Sequence, residues 1–278
     1  MMNITYGISE EIGWRSHMED EHAIYRDDAR EFFAAEIYDG HGGKEAARIA
    51  SEMLTPYFMH AWARSIEKPL RERRSDYELL REAYLTVDAH LVGKGVESGT
   101  TAANFYIIGD RFLAANAGDT RVIIGTRKGV SSLTKDHKPE LPEERMRIES
   151  LGGQVIFHGA PRVQGILAIS RALGDTVLKP YVTAEPRIVE GYLGKENDYA
   201  VLACDGVWDV LTPDDVIDIV RSMGDPTKAA VEVSNKALNH ASTDNITVIV
   251  LDLQEYTKGL RKERIEIIRI VDYGESSR

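Results

Sequence analysis

From Thr100 to Leu133 the helical period gives way to short apolar runs parted by turn residues, and this run rules out an all-helical fold. Residues 100–108, 111–116, 121–126 and 129–133 read as short strands parted by Gly109-Asp110, Gly118-Asp119 and Arg127-Lys128-Gly129. That spacing predicts an antiparallel meander. Two long helical patterns precede it. In residues 44–66 a single stripe contains Ala46, Ile49, Ala50, Met53, Leu54, Tyr57, Phe58, Ala61 and Trp62, and Pro56 predicts a kink or break near Thr55. Ser75-Asp76-Tyr77-Glu78 reads as a capping box opening a second helix, with Leu80, Tyr84, Val87 and Leu91 on its apolar side.

After the strand run, a helix is expected over 142–151, stopped by Gly152-Gly153, followed by strands at 187–192 and 199–203. Thr212-Pro213-Asp214-Asp215 is a helix start, a further helix covers 226–240, and a strand covers 245–253. Strand runs with helix pairs before and after them predict an α+β fold rather than alternating βαβ units. No Pro/Ser-rich linker or repeat divides the chain. One domain is therefore expected over residues 1–253, with 254–278 a C-terminal extension of unassigned role. Its stretch 264–271 is open between an edge strand, a partner-binding segment and a plain tail.

The 278 residues are enough for one sizeable core, and 43% hydrophobic with 28% charged residues is ordinary for a globular protein. No apolar run approaches the ~18 residues needed to cross a bilayer. The first residues lack a basic segment followed by an apolar one, so a cytoplasmic setting is expected, with the nucleus as the alternative. Cys204 is the only cysteine, which excludes an internal disulfide. A net charge of −11 disfavours nucleic acid as a partner. The basic stretch Lys68, Arg71, Arg73 and Arg74 reads as a solvated connection between helices.

The informative pattern is where the acids fall. Asp39 ends the apolar run 32–38, Asp205 ends the run 199–204, and Asp244 sits just before the apolar strand 246–251. Glu19-Asp20 follows a short N-terminal strand, and Asp119 occupies a tight turn. Carboxylates beside buried strands are costly unless paired, and several that converge call for hard divalent cations such as Mg²⁺ or Mn²⁺. Two such ions a few ångströms apart would acidify a bridging water for attack on phosphorus. Arg15 offers a bidentate fork for phosphate oxygens, and His41, inside Asp39-Gly40-His41-Gly42-Gly43, is a candidate proton donor.

In that order along the chain stand Gly13-Trp-Arg-Ser-His-Met-Glu-Asp20, Asp39-Gly-His-Gly-Gly43, Ser98-Gly-Thr-Thr101, Asn116-Ala-Gly-Asp-Thr-Arg121 and Asp136-His-Lys-Pro139. Leu167-Ala-Ile-Ser-Arg-Ala-Leu-Gly-Asp175, Ala203-Cys-Asp-Gly-Val-Trp-Asp209 and Ser242-Thr-Asp-Asn-Ile-Thr247 complete the series. The succession resembles the metal-dependent protein phosphatases of type 2C, over roughly residues 4 to 253. The resemblance implies a four-layer α-β-β-α sandwich of two antiparallel sheets flanked by helices, with the metals in a cleft at one end. It implies that Asp39 bridges two Mn²⁺ or Mg²⁺ ions, that the Gly40 carbonyl binds one, and that Asp205 and Asp244 ligate the other. Glu19 and Asp20 would act partly through water, while Asp119 and Asp209, with Asp205, match a third, weaker site. Arg15 would hold the phosphate and His41 would protonate the leaving Ser or Thr oxygen, after direct attack of a hydroxide bridging the two ions.

The partners so implied are phosphoSer and phosphoThr proteins, met by a monomer. Gln164 departs from the pattern, since many members carry Asn there, and Phe157 stands about where plant hormone co-receptors have Trp. Cys204 is expected to be a buried small hydrophobe rather than a nucleophile, His137 is expected to be structural, and Lys138 has no assigned role. A non-catalytic phosphopeptide-binding module and a hydrolase of small phosphoesters remain the alternatives.

Overall fold

In the computed structural model, which describes residues 2–273, the strands form two large antiparallel sheets. The six-stranded sheet runs in the order Glu266–Asp272, Arg187–Tyr192, Arg111–Ala117, Ala102–Ile108, Phe32–Tyr38, Glu21–Asp27. The five-stranded sheet runs Thr5–Glu11, Ile246–Asp252, Tyr199–Ala203, Arg121–Thr126, Gly129–Ser132.

Strand parity builds the layers. Phe32–Tyr38 is buried along its whole length, so each face must meet a partner. Phe32, Ala34 and Tyr38 pack with Ala50, Leu54, Phe58 and Trp62 of helix Glu45–Ile66 and with Leu80, Ala83 and Tyr84 of helix Asp76–Lys94. Phe33, Ala35 and Ile37 point the other way, against Ile124, Leu202, Cys204 and Ile249 of the second sheet. The outer face of that sheet offers Ile123, Val201 and Val248 to helices Pro213–Met223 and Pro226–Asn239. The result is the α-β-β-α sandwich.

The strand run at 100–133 is not one meander. Ala102–Ile108 and Arg111–Ala117 form a hairpin in the six-stranded sheet, and Arg121–Thr126 pairs with Gly129–Ser132 in the other. Residues Gly118, Asp119 and Thr120 carry the chain between sheets, because Val122 and Ile124 are needed in the inter-sheet core while Ile123 is needed under the outer helices. Nor does Pro56 break its helix, which is continuous from Glu45 to Ile66. Pro56 and Glu52 both lie on the exposed side, so the Glu52 carbonyl that loses its helical partner faces water. The capping box at Ser75 forms as read, its N–H donating to Glu78 at 3.2 Å, and Thr212 caps the later helix by accepting from Asp215 N–H at 3.2 Å. Residues 266–272 add an edge strand to Arg187–Tyr192, with a register shift at Glu190/Gly191. Among the described residues no helix is long and apolar enough to cross a membrane.

One polar residue sits inside the first helix–sheet layer. Glu36 is fully buried and accepts hydrogen bonds from Tyr106 OH (2.8 Å), Asn104 Nδ2 (2.5 Å), Tyr38 OH (3.0 Å) and the Thr55 hydroxyl. Burial outweighs these four donors and pushes its carboxyl up from 4.5 to about 7. The unfolded chain releases this proton near pH 4.5, whereas the folded chain keeps it to about pH 7. The stability held by the protonated form is thus complete below the lower value and declines as pH rises to the upper, by about 3 kcal/mol in all. Glu36→Gln removes the charge and keeps the shape. Urea unfolding should show the variant gaining on the parent between pH 5 and pH 8; a difference independent of pH would contradict the account.

Candidate metal centre

Antiparallel pairing puts the C-terminal end of one strand beside the N-terminal end of its neighbour. Asp39 follows Phe32–Tyr38, and Asp20 precedes the adjacent Glu21–Asp27. Asp205 follows Tyr199–Ala203, and Asp244 lies just before the adjacent Ile246–Asp252. Asp119 occupies the crossover between sheets. All five therefore gather at one end of the sandwich, although they span more than 200 residues of chain.

There they border a cleft of about 470 Å³ lined by Arg15, Glu19, Asp39, Gly40, His41, Asp119, Asp205, Asp209 and Asp244. Carboxylate oxygens of Asp39, Asp119 and Asp205 lie within 4.8 Å of one another, as do oxygens of Asp20 and Asp39 with Cys204 Sγ. Asp20 stands behind the cleft wall, 2% exposed, and accepts a hydrogen bond from Thr247 Oγ1 at 2.7 Å. Gly40 is required by a close approach: a β-carbon there would stand 2.3 Å from the Glu19 carbonyl oxygen. Arg15 reaches in from the mouth and its Nη2 donates to Asp244 Oδ2 at 2.5 Å.

The charges are unbalanced. Burial, and then the charges of Asp205, Asp20, Asp119 and Asp244, raise the Asp39 carboxyl well above the usual range. Burial and the charges of Asp119, Asp244 and Asp209 do the same to Asp205. Asp20 is pushed up to about 6, chiefly by burial, with Asp244 and Glu10 adding to it. Asp209 is raised by burial first, then by Asp119. This donor set is hard oxygen, crowded and short of positive charge, and it fits divalent cations of the Mg²⁺ or Mn²⁺ type.

Three further residues contribute to the site, and their roles are not evident from the sequence alone. Lys138 donates to Asp119 Oδ2 from the cleft wall; burial alone would lower its ammonium, but the charge of Asp119 raises it. Asn245 ties the Arg15 loop to Asp244, accepting from Glu19 N–H at 2.9 Å and donating to the Ile12 and His17 carbonyls at 2.9 and 3.0 Å. Asp175 meets His41, with both carboxylate oxygens 2.9 Å from Nε2. All three stand inside motifs noted above, but nothing in spacing alone says which way they point. His137 is 1% exposed, with Nδ1 at the Gly118 backbone, and Cys204 is fully buried. Gln164 holds a left-handed backbone at φ 53, which Asn adopts more readily than Gln. Phe157, 77% exposed, tips the hairpin Val155–His158/Ala160–Val163 beside the cleft.

Two back-to-back antiparallel sheets with a carboxylate cleft at one end define the class: a helix-flanked β-sandwich built around a site for hard cations. A sequence profile described as Protein phosphatase 2C matches residues 4–246. The rice (Oryza sativa subsp. japonica) protein called Probable protein phosphatase 2C 45 is 36% identical over 255 residues, covering 89% of this chain and 86% of its own. Probable protein phosphatase 2C 71 of Arabidopsis thaliana is 34% identical over 259 residues, covering 90% of this chain but 56% of its own. A solved serine-threonine phosphatase 2C from Toxoplasma gondii shares the fold, with a TM-score of 0.77 at 24% identity over 90% of this chain and 94% of its own. The chain belongs to the protein phosphatase 2C family, whose members are metal-dependent protein serine/threonine phosphatases.

Crowded carboxylates give a test that does not need turnover. In EDTA, Asp39→Asn should melt higher than the parent, by about 3 °C for each kcal/mol of repulsion relieved. Mn²⁺ should raise the melting temperature of the parent and have little effect on the variant. A parent indifferent to Mn²⁺ and Mg²⁺, or a variant that melts lower in EDTA, would count against the assignment.

Proposed function

We propose that this chain dephosphorylates phosphoSer and phosphoThr residues of proteins by direct attack of water on phosphorus, with no phosphoenzyme. The observation that carries the reading is the convergence of Asp39, Asp119, Asp205, Asp209 and Asp244 on one cleft that Arg15 and His41 also line. Asp39, the Gly40 carbonyl, Asp205 and Asp244 would hold two Mn²⁺ or Mg²⁺ ions, with Glu19 and Asp20 acting partly through water. Asp119 and Asp209, with Asp205, would form the weaker third site. When bound, such ions supply an acidified water and neutralise charge on the phosphate.

The remaining work belongs to the chain. Arg15 has a half-exposed guanidinium at the mouth, anchored among the described residues at Asp244, and its fork fits two non-bridging phosphate oxygens. His41 supplies a proton to the leaving serine or threonine oxygen as the P–O bond breaks. Cys204 cannot act as nucleophile: it is fully buried, its thiol donates to the Asn245 carbonyl, and burial pushes it well above the usual thiol range.

Initial rates on a phosphothreonine peptide, p-nitrophenyl phosphate and a phosphodiester, each with Mn²⁺ and with EDTA, test this. The expected result is chelator-sensitive monoester hydrolysis that Asp205→Asn lowers by ~10³-fold or more. His41→Ala should cost ~10²- to 10⁴-fold on the peptide and little on the nitrophenyl ester, whose leaving group needs no proton. Full activity in EDTA would sink the reading, and equal losses on the two esters would remove His41 from the role.

A further inference from the structure

Beside the cleft lies a three-stranded ribbon whose middle strand is Gly99–Thr100, with Gly40–His41 paired on one side and Leu173–Gly174 on the other. Gly99 stands opposite His41 on one flank and Gly174 on the other. Outer strands in such a ribbon are ~10 Å apart, so their side chains meet only by passing over the middle residue. Asp175, next after Gly174, does this, and reaches His41 Nε2 at 2.9 Å with both oxygens.

The backbone is shaped around the contact. A β-carbon on Gly99 would stand 2.1 Å from Asp175 Oδ2 and 2.4 Å from His41 Nε2, so any larger residue would fill the space the pair occupies. Asp175 itself holds a left-handed conformation, φ 46 and ψ 47, which few side-chain-bearing residues adopt. Its side chain is 9% exposed, against 27% for His41, so the carboxylate is the inner and more fixed member. Among the described residues His41 Nδ1 makes no hydrogen bond, and the ring lines the cleft.

We propose that Asp175 is a positioning residue for His41: its carboxylate holds Nε2 and thereby makes Nδ1 the nitrogen that serves the leaving oxygen. The inference rests on His41 being the general acid. The imidazolium carries a proton on each nitrogen; the one on Nε2 stays in its hydrogen bond to Asp175. The one on Nδ1 passes to the leaving oxygen as the P–O bond breaks, and a neutral ring remains in the same grip. Without the carboxylate the ring rotates about its Cβ–Cγ bond and spends less time aimed at the leaving group.

Asp175→Asn is the informative variant, because Asn tolerates a left-handed backbone and keeps the shape. On the phosphothreonine peptide kcat should fall about tenfold or more with KM unchanged, and on p-nitrophenyl phosphate it should scarcely change. Combined with His41→Ala it should add no further loss. Gly99→Ala should reproduce the same substrate-selective defect. Losses equal on both esters in Asp175→Asn, or additive with His41→Ala, would overturn the inference while a selective defect in His41→Ala alone would leave the general-acid reading intact. A His41→Ala defect equal on both esters would overturn both at the lower level. Nitrogen-15 NMR of the parent supplies a readout that survives a misfolded variant: with the ring neutral, His41 should carry its proton on Nε2. A proton on Nδ1 would refute the assignment.

Discussion

Five carboxylates pressed into one end of a β-sandwich repel each other, and the rest of the molecule is arranged so that they cannot escape. Asp39 and Asp205 are each fixed by a buried strand in a different sheet, so neither can retreat without disturbing the inter-sheet core. Burial removes the water that would soften the repulsion, which is why both carboxyls are raised so far. A cation is the economical resolution. Lys138 on Asp119 and Arg15 on Asp244 supply part of the positive charge from the protein itself, at the margins of the cluster rather than its centre.

The sandwich suits this task because its two sheets present their ends side by side. Each sheet contributes acids through the same device, a strand terminus next to a short turn. The helices on the outer faces contribute no acid to the cluster except through the single turn Asp205–Trp208, and their work is to seal the strands. Glu36 shows the limit of that seal. It is a carboxyl committed to the helix–sheet layer, held by four donors, and kept apart from the cleft by the alternation that sends its neighbour Ile37 to the opposite face.

Much of this was legible in the sequence, for identifiable reasons. The capping box at Ser75, the helix start at Thr212, the apolar stripe through Ala50, Leu54 and Phe58, and the acids at strand ends are local patterns, and local patterns survive without knowledge of tertiary contacts. The crossover at Asp119 was not legible, since a tight turn between two strands reads the same whether the second strand joins the first or leaves for another sheet. Pro56 misled because propensity ignores which side of the helix meets water. Asp175, Lys138 and Asn245 were visible as motif members but not as neighbours of His41, Asp119 and the Arg15 loop. Their partners lie 134, 19 and 226 or more residues away or across a strand, and only the fold sets those distances.

The pairing of Thr5–Glu11 with Ile246–Asp252 has a further consequence. The first strand has one neighbour in its sheet, and that neighbour is separated from it by most of the chain. A chain emerging in order from a ribosome would hold an unsatisfied first strand until residues 246–252 were made. Buried Arg171, already held by Glu144 and the Glu185 carbonyl, gains its second carboxylate only with Asp272, which its Nη1 meets at 2.7 Å. Closing so long a loop is entropically slow. Asp244 arrives with the same late strand, so the cleft gains its last carboxylate in the step that first closes the sheet. Until then an incomplete chain holds neither a finished fold nor a finished cation site, and the two capacities appear together.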